Sequence, residues 1–510
     1  MKYTFAILFL ILCGFSAASE LTRPSQTTAG APILVWMTDI NPTRADQLAA
    51  FGKWLAKTHG PPMRVRLDET MVGQSNSNTA TSNPDTKLVI QGVSGVLGDL
   101  VDVPTVDLSY LQDIGILKDL TDTARQMGFG PDQTYPAAKP QIEIDNRQYV
   151  FPENFSVNQL VINKATFRKY GLPLPPRRWS LQQFEEIGKQ FVAVANRNNP
   201  AASRRIFFAD RFEAEDIRRT MGLSAFNETL TASSLDDPRN IRTLQLMSHW
   251  SNDLHLMPTE ADAESFASAG GYGGAAPQLL RDGRCAMILY SLNLLIPLRQ
   301  FDQPIDLGAA EIPNAGFPCI LLRTRGTGIY QGSPHADLAA YFVAFLASED
   351  YNQNIIDDCD ALPPNPKYLL SDRFLKPAHY PNEWDLRRAY ADAATQLAIP
   401  VVVSPFVYYH NAIHIEMSWQ EAFLSDICSA TAAAQNAKHQ IDEQIQQTLH
   451  DDPAQRSRYE QQLTLQTKID ALKQTHQKIP LSWIANPFYR HYYLATDQAI
   501  DDYSSASAQR

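Results

Sequence analysis

His410 and His414 stand four residues apart with Glu416 just beyond. On a helix that spacing puts two imidazoles on one face, as a zinc-dependent hydrolase requires. In such a site a carboxylate directly follows the first histidine; here that position is Asn411, so no metal is expected. Ser94 lies in Gly92-Val93-Ser94-Gly95, which is not the Gly-x-Ser-x-Gly turn that presents a nucleophile above a sheet. The glycine-rich stretch 92–98 lacks the dinucleotide-binding pattern. Asp357, Asp358 and Asp360 could furnish two carboxyls for glycoside hydrolysis, but a chain with 55 acidic residues produces such clusters by composition alone. No catalytic constellation stands above this background. No enzyme activity and no cofactor are expected.

The chain has 510 residues, enough at ~150 per domain for two or three domains or one large two-lobed unit. Apolar residues make up 44% and charged residues 19%, so a large core is possible and global disorder is excluded. The formal charge of −11 argues against nucleic acid as a partner, because phosphate binding needs a basic surface. Met1-Lys2, the apolar run Phe5 to Phe15 and the small residues Ser16-Ala17-Ala18 have the form of a secretory signal over 1–18. The run is too short for a transmembrane helix. Cys13 raises a lipid anchor, but Leu12 stands where a small residue is required, so an unlipidated periplasmic or extracytoplasmic protein is expected. Export leaves Cys285, Cys319, Cys359 and Cys428 in an oxidising compartment. One or two disulfides are expected, with three possible connectivities; buried free thiols are the alternative.

Residues 20–31 read as a flexible lead-in. Ile33 to Met37 is an apolar run typical of a buried strand, and Thr43 to His59 has Leu48, Phe51 and Leu55 on one helical face. Arg64 to Leu67 and Lys87 to Ile90 read as strands, separated by a polar loop at 73–85. This order predicts a mostly parallel sheet flanked by helices. Asp145-Asn146 marks a hairpin. Ser180 with Gln183 forms a capping box ahead of Phe184, Ile187 and Phe191. Further helices are predicted at 239–255, 336–348, 417–449 and 454–477, and 495–510 reads as a polar, frayed end.

From residue 149 onward a series of short motifs recurs in a fixed order. It comprises Tyr149-Val150-Phe151-Pro152, Asn163-Lys164, Phe167, Gly171, Pro175-Pro176 and Trp179-Ser180. Asp236-Asp237-Pro238, Gly283-Arg284-Cys285-Ala286-Met287, Ile312-Pro313, Gly326-Thr327-Gly328-Ile329 and Leu362-Pro363 follow. In order and spacing they resemble the family 1 extracellular solute-binding proteins of ABC importers, the group that contains maltose-binding protein. The resemblance spans roughly 33–445. Two departures remove aromatic surface: Ile162 stands where relatives have Tyr, and Tyr290-Ser291-Leu292 where they often have Trp.

The resemblance implies an α/β, type II periplasmic-binding-protein fold with two lobes joined by crossing strands. The implied N-terminal lobe comprises 32–147 and 310–355, the C-terminal lobe 148–309 and 356–450, and a helical, aromatic extension 451–510. It implies a monomer that captures a small solute, a carbohydrate by preference, and delivers it to ABC permease subunits. A sensory module acting on a membrane receptor and an exported hydrolase are the alternatives. A sugar site needs paired hydrogen-bonding side chains and ring faces for stacking. The candidates are Asp39 and Asn41 after the first strand, and Glu153, Asn154 and Asn158 after the first crossing. Tyr272 in the glycine-rich loop 270–274, Tyr408 and Tyr409 complete the set. Trp179 is expected to be structural.

Overall fold

The computed structural model describes residues 30–69, 84–198, 204–266 and 272–502. Residues 1–18, read from the sequence as an export signal, most of the polar loop at 73–85, Gly270-Gly271 and the last eight residues lie outside them.

Two sheets organise the chain. The first contains β1 (Ile33–Met37), β2 (Arg64–Asp68), β3 (Leu100–Pro104), β4 (Val150–Ser156), β9 (Ile320–Ile329) and β10 (Ala398–Pro400). Its order is β10-β9-β3-β1-β2, and β4 also pairs with β9. The second runs β8 (Leu307–Ala310), β5 (Gln159–Asn163), β7 (Cys285–Tyr290), β6 (Phe207–Ala209). The first is mostly parallel, three of its five pairings being so, whereas the second is mostly antiparallel, with β6 and β7 its one parallel pair. β1 is parallel to β2 and β3, but the long strand β9 runs antiparallel to both β3 and β4. The chain passes between the sheets at Val157–Asn158, after β4, and not near Pro152, which is itself paired with Gly326 inside the first sheet. It returns between Ala310 and Ile320.

Helices cover the first sheet where its apolar residues require it. Helix α1 (Arg44–Lys57) buries Phe51 and Leu55, one turn apart, against Leu34 and Trp36 of β1. Phe342 and Phe345 of α5 (Ala336–Ala347) close the same core, with Phe342 4.7 Å from the Trp36 ring. Lys87 to Ile90, predicted as a strand, belongs instead to helix α2 (Pro84–Val93). Leu88 and Gly92, four apart, are buried while Lys87, Ile90 and Val93 are exposed, so the burial has a helical period that the short apolar run conceals.

The second core is aromatic. The predicted capping box forms: Ser180 accepts from the Gln183 amide, and Gln183 returns the bond to Ser180. It starts α3 (Leu181–Ala195), whose Phe184 and Phe191 pack on Phe208. Trp179 is buried and donates to the Glu311 carbonyl at 2.7 Å, a structural role as expected. The hairpin at 143–148 also forms, with Asp145 and Asn146 both at positive φ.

A third core gathers the C-terminal helices. The predicted helix 417–449 is two: α7 (Tyr409–Leu424) and α8 (Ala430–Asp451), broken where Asp426 takes φ 58° and Ser429 caps α8. Helices α9 (Pro453–Gln474) and α10 (Pro487–Ala495) pack with α8 around Phe226, Leu235, Phe406, Ile445 and Ile469. Cys285, Cys319, Cys359 and Cys428 are all free, against the expected disulfides. Cys285 lies on β7 and the others in separate connecting segments; the first three are buried, and Arg387 donates to the Cys359 sulfur at 2.6 Å.

Candidate functional site

The loop that leaves β1 carries Asp39 and Asn41, and the first turn of α1 follows at once with Arg44 and Gln47. Strand β9 alternates Arg323 and Arg325, which place both guanidiniums on one face of the sheet. Glu153 projects from the neighbouring β4, and Asp360 follows α6 (Glu349–Asp358). These residues, distant in sequence, meet at one point.

Arg325 grips Glu153 with two bonds, Nε and Nη2 each 2.9 Å from a carboxylate oxygen, and reaches Asp39 with Nη1 at 2.7 Å. Arg44 donates to Asp39, at 2.6 Å from Nη2, and pairs with Glu153 and with Asp360. Arg44 and Glu153 are fully buried. Burial raises the Glu153 carboxyl to about 7 against the pull of Arg325 and Arg44. For Asp39 burial acts in the same direction, but Arg325 and Arg44 outweigh it and hold the carboxyl below the usual range. Buried ion networks contribute little net stability, because desolvation offsets the attraction. Such a network fixes geometry.

Across from it, Tyr272 and Asn293 belong to the second sheet's body, Asn293 lying just beyond β7. Asn41 Nδ2 donates to Asp360 at 2.6 Å and to the Tyr272 hydroxyl at 3.3 Å, and Asn293 Nδ2 donates to the same hydroxyl at 3.3 Å. Asp39, Asn41, Glu153 and Tyr272 are thereby brought together. Asn154 opposes Arg325 across the β4–β9 pair and keeps a half-exposed side chain. Asn158 stands at the passage between sheets, where its carbonyl accepts from Gln159.

Tyr408 and Tyr409 lie in a neighbouring cluster. The Tyr408 ring is 4.7 Å from Tyr110, and His410 Nε2 is 2.9 Å from Asp107 just after β3. Burial pushes the Tyr409 hydroxyl up, with Glu215 adding to the effect. Arg323 joins the two clusters: it shares a strand face with Arg325 and pairs with Glu213 at 2.5 Å. Glu416 pairs with Arg218 of α4 (Ala214–Thr220), and His414 is exposed, so the histidines and Glu416 of α7 face different partners. Sequence reasoning missed Arg44, Gln47, Arg325 and Asn293. The alternation Arg323-Thr324-Arg325 in an otherwise apolar strand was the available signal for the second pair of cations. Asp360 was noted only as part of an acidic cluster.

The profile of the bacterial extracellular solute-binding proteins matches residues 71–382. The chain belongs to that family. This solute-binding protein is therefore an exported one, and no helix among its described residues is long and apolar enough to cross a membrane. Its fold is shared by an ABC substrate-binding protein from Listeria monocytogenes in complex with cycloalternan. The two are 20% identical with a TM-score of 0.66, covering 81% of this chain and 98% of that one. Maltose-bound MalE3 of T. maritima is 15% identical, with a TM-score of 0.63 and coverage of 81% and 99%. The maltose/maltodextrin-binding domain MalE from Bdellovibrio bacteriovorus, bound to maltotriose, is 18% identical, with a TM-score of 0.61 and coverage of 81% and 100%. Among curated proteins no match was found. The likeness establishes the two-lobed binding-protein architecture for this solute-binding protein, with helices on both faces of its sheets. The family profile ends before α7, so the helices from Tyr409 onward lie beyond it.

Proposed function

We propose that this protein captures a carbohydrate between its two lobes and delivers it to an ABC permease, without changing it chemically. One observation carries the reading: a polar cluster drawn from both sheets converges on Tyr272, with charged and amide groups of the first lobe facing amide and phenol groups of the second. Sugars present hydroxyls that need such paired donors and acceptors. The oligosaccharides bound to the structural neighbours support the solute class. On this reading the lobes are the two sheet bodies. The chain crosses between them at Val157–Asn158 and between Ala310 and Ile320, and closure about these crossings buries the solute. Residues 1–18 direct export to the periplasm or its equivalent and are removed, and the mature protein works as a monomer. The site residues are Asp39, Asn41, Arg325 and Tyr272, with Glu153 holding Arg325 in place and Tyr408 and Tyr409 extending the surface.

A thermal-shift screen with maltose, maltotriose and cyclic glucans tests the reading, since a ligand that binds only the folded state raises the midpoint by mass action. A saturable upward shift with at least one sugar is expected. Turnover of that sugar, detected by chromatography, would contradict the binding-only role.

A further inference from the structure

The Tyr272 hydroxyl accepts from two amides, Asn41 Nδ2 and Asn293 Nδ2, each at 3.3 Å. Asn41 Oδ1 accepts from both the backbone amide and the hydroxyl of Thr43, each at 3.0 Å, so Asn41 Nδ2 must be the end that faces Tyr272. Asn293 Nδ2 donates to the same phenol at 3.3 Å, while its Oδ1 accepts from the Ser291 hydroxyl at 2.5 Å. A phenol oxygen that accepts two N–H bonds has used its lone pairs. Its remaining capacity is its own proton, which finds no protein acceptor among the described residues. One amide comes from each lobe, so both bonds exist only when the lobes are together.

We propose that Tyr272 is a specificity-determining residue: its hydroxyl, made a pure donor by Asn41 and Asn293, selects a solute that presents an oxygen acceptor at the junction of the lobes. The inference rests on the carbohydrate reading and deepens it. It assigns Tyr272 a recognition role through its oxygen instead of its ring face. It also explains the sequence Ser291-Leu292-Asn293: Leu292 is buried, and the residues on either side of it supply the hydrogen-bonding pair that holds the phenol. A ring or glycosidic oxygen, which can only accept, fits this donor. A group that can only donate, such as an ammonium, is rejected because the phenol proton would face another proton.

Calorimetric titration with maltotriose of the parent, Tyr272→Phe, Asn293→Ala and the double variant tests this. Tyr272→Phe keeps the ring and removes one oxygen. It should weaken binding about five- to tenfold at an unchanged melting temperature, as expected for one lost hydrogen bond. Asn293→Ala should weaken the parent but add little to Tyr272→Phe, because it acts through the phenol. Parent-like affinity of Tyr272→Phe, or full additivity of the two changes, overturns the assignment. If the parent binds no sugar at all, the carbohydrate reading fails, and scattering by the ligand-free protein decides the Tyr272 contact. Tyr272→Phe should then have a larger radius of gyration than the parent, and equal radii overturn the contact as well.

Discussion

Arg325 and Glu153 lie on antiparallel neighbouring strands and join through two parallel bonds of 2.9 Å, the fork of the guanidinium matching the carboxylate. Glu153 therefore has little left to offer a solute; its work is to hold Arg325, which in turn orients Asp39.

Glu153→Ala should consequently be a stability variant before it is a binding variant. It leaves Arg44 and Arg325 buried beside a missing partner, and breaking a buried pair costs about 3–5 kcal/mol. Asp39 and Asp360 remain as partners, which places the expectation at the low end, about 3 kcal/mol. Urea unfolding measures it; a loss below about 1 kcal/mol would show that the network does not hold the fold in this way.

Stability should fall as pH rises through neutrality. Burial pushes Glu153 and Asp216 up to about 7 and Asp210 up to about 8, and Asp358 rises to about 7. The folded protein thus holds protons that the unfolded chain has released. The stability is fully present below the ordinary carboxylate range and is lost as pH passes 7–8. Asp39, held low, acts in the opposite sense only in strong acid. The melting temperature should be higher at pH 5.5 than at pH 8.5, with a shallower slope in Glu153→Gln. A rise between those two values would be inconsistent with the buried acids.

The cysteines should behave as thiols. Among the four cysteines of the described residues Cys428 is partly exposed and the other three are buried, so alkylation of the native protein should modify Cys428 alone of these four. Unfolding without reductant should then make all four of them alkylatable. Mass spectrometry reads both counts, and a pair that stays unmodified until reduction would reveal a disulfide.

Glu228, within the family profile, ties the C-terminal helices beyond that profile to the body. It accepts from Gln466 and Lys473, each at 2.8 Å, and from the Tyr493 hydroxyl. Glu228→Ala leaves the buried Gln466 amide and Tyr493 hydroxyl without this acceptor, a cost of about 2 kcal/mol. Urea unfolding of the variant gives that value directly. Unaltered stability would mean that α9 and α10 are held by apolar packing alone.

Local signals in the sequence were read correctly where short-range chemistry decides the outcome. The β1 run, the Ser180 capping box and the Asp145-Asn146 turn each need only neighbouring residues. Lys87 to Ile90 departs from its predicted strand because a four-residue run carries too little periodicity to separate a strand from a helix face. The aggregate order of motifs disclosed the fold, and the loops it pointed to did place Asp39, Asn41, Glu153 and Tyr272 together. The partners that organise them were not legible. Arg44, Arg325 and Asp360 are ordinary charged residues until folding brings positions 44, 153, 325 and 360 into contact.

The central claim is that one solute site is built from both lobes. Calorimetric titration of the best-binding sugar against Asn41→Ala, Asn293→Ala and Asn158→Ala tests it most directly, since the first two stand on opposite lobes and the third lies outside the cluster. The account predicts one site per chain, at least about fivefold weaker binding for each of the first two variants, and affinity within about twofold of the parent for Asn158→Ala. Undiminished binding by either Asn41→Ala or Asn293→Ala, at an unchanged melting temperature, would contradict a site shared between the lobes.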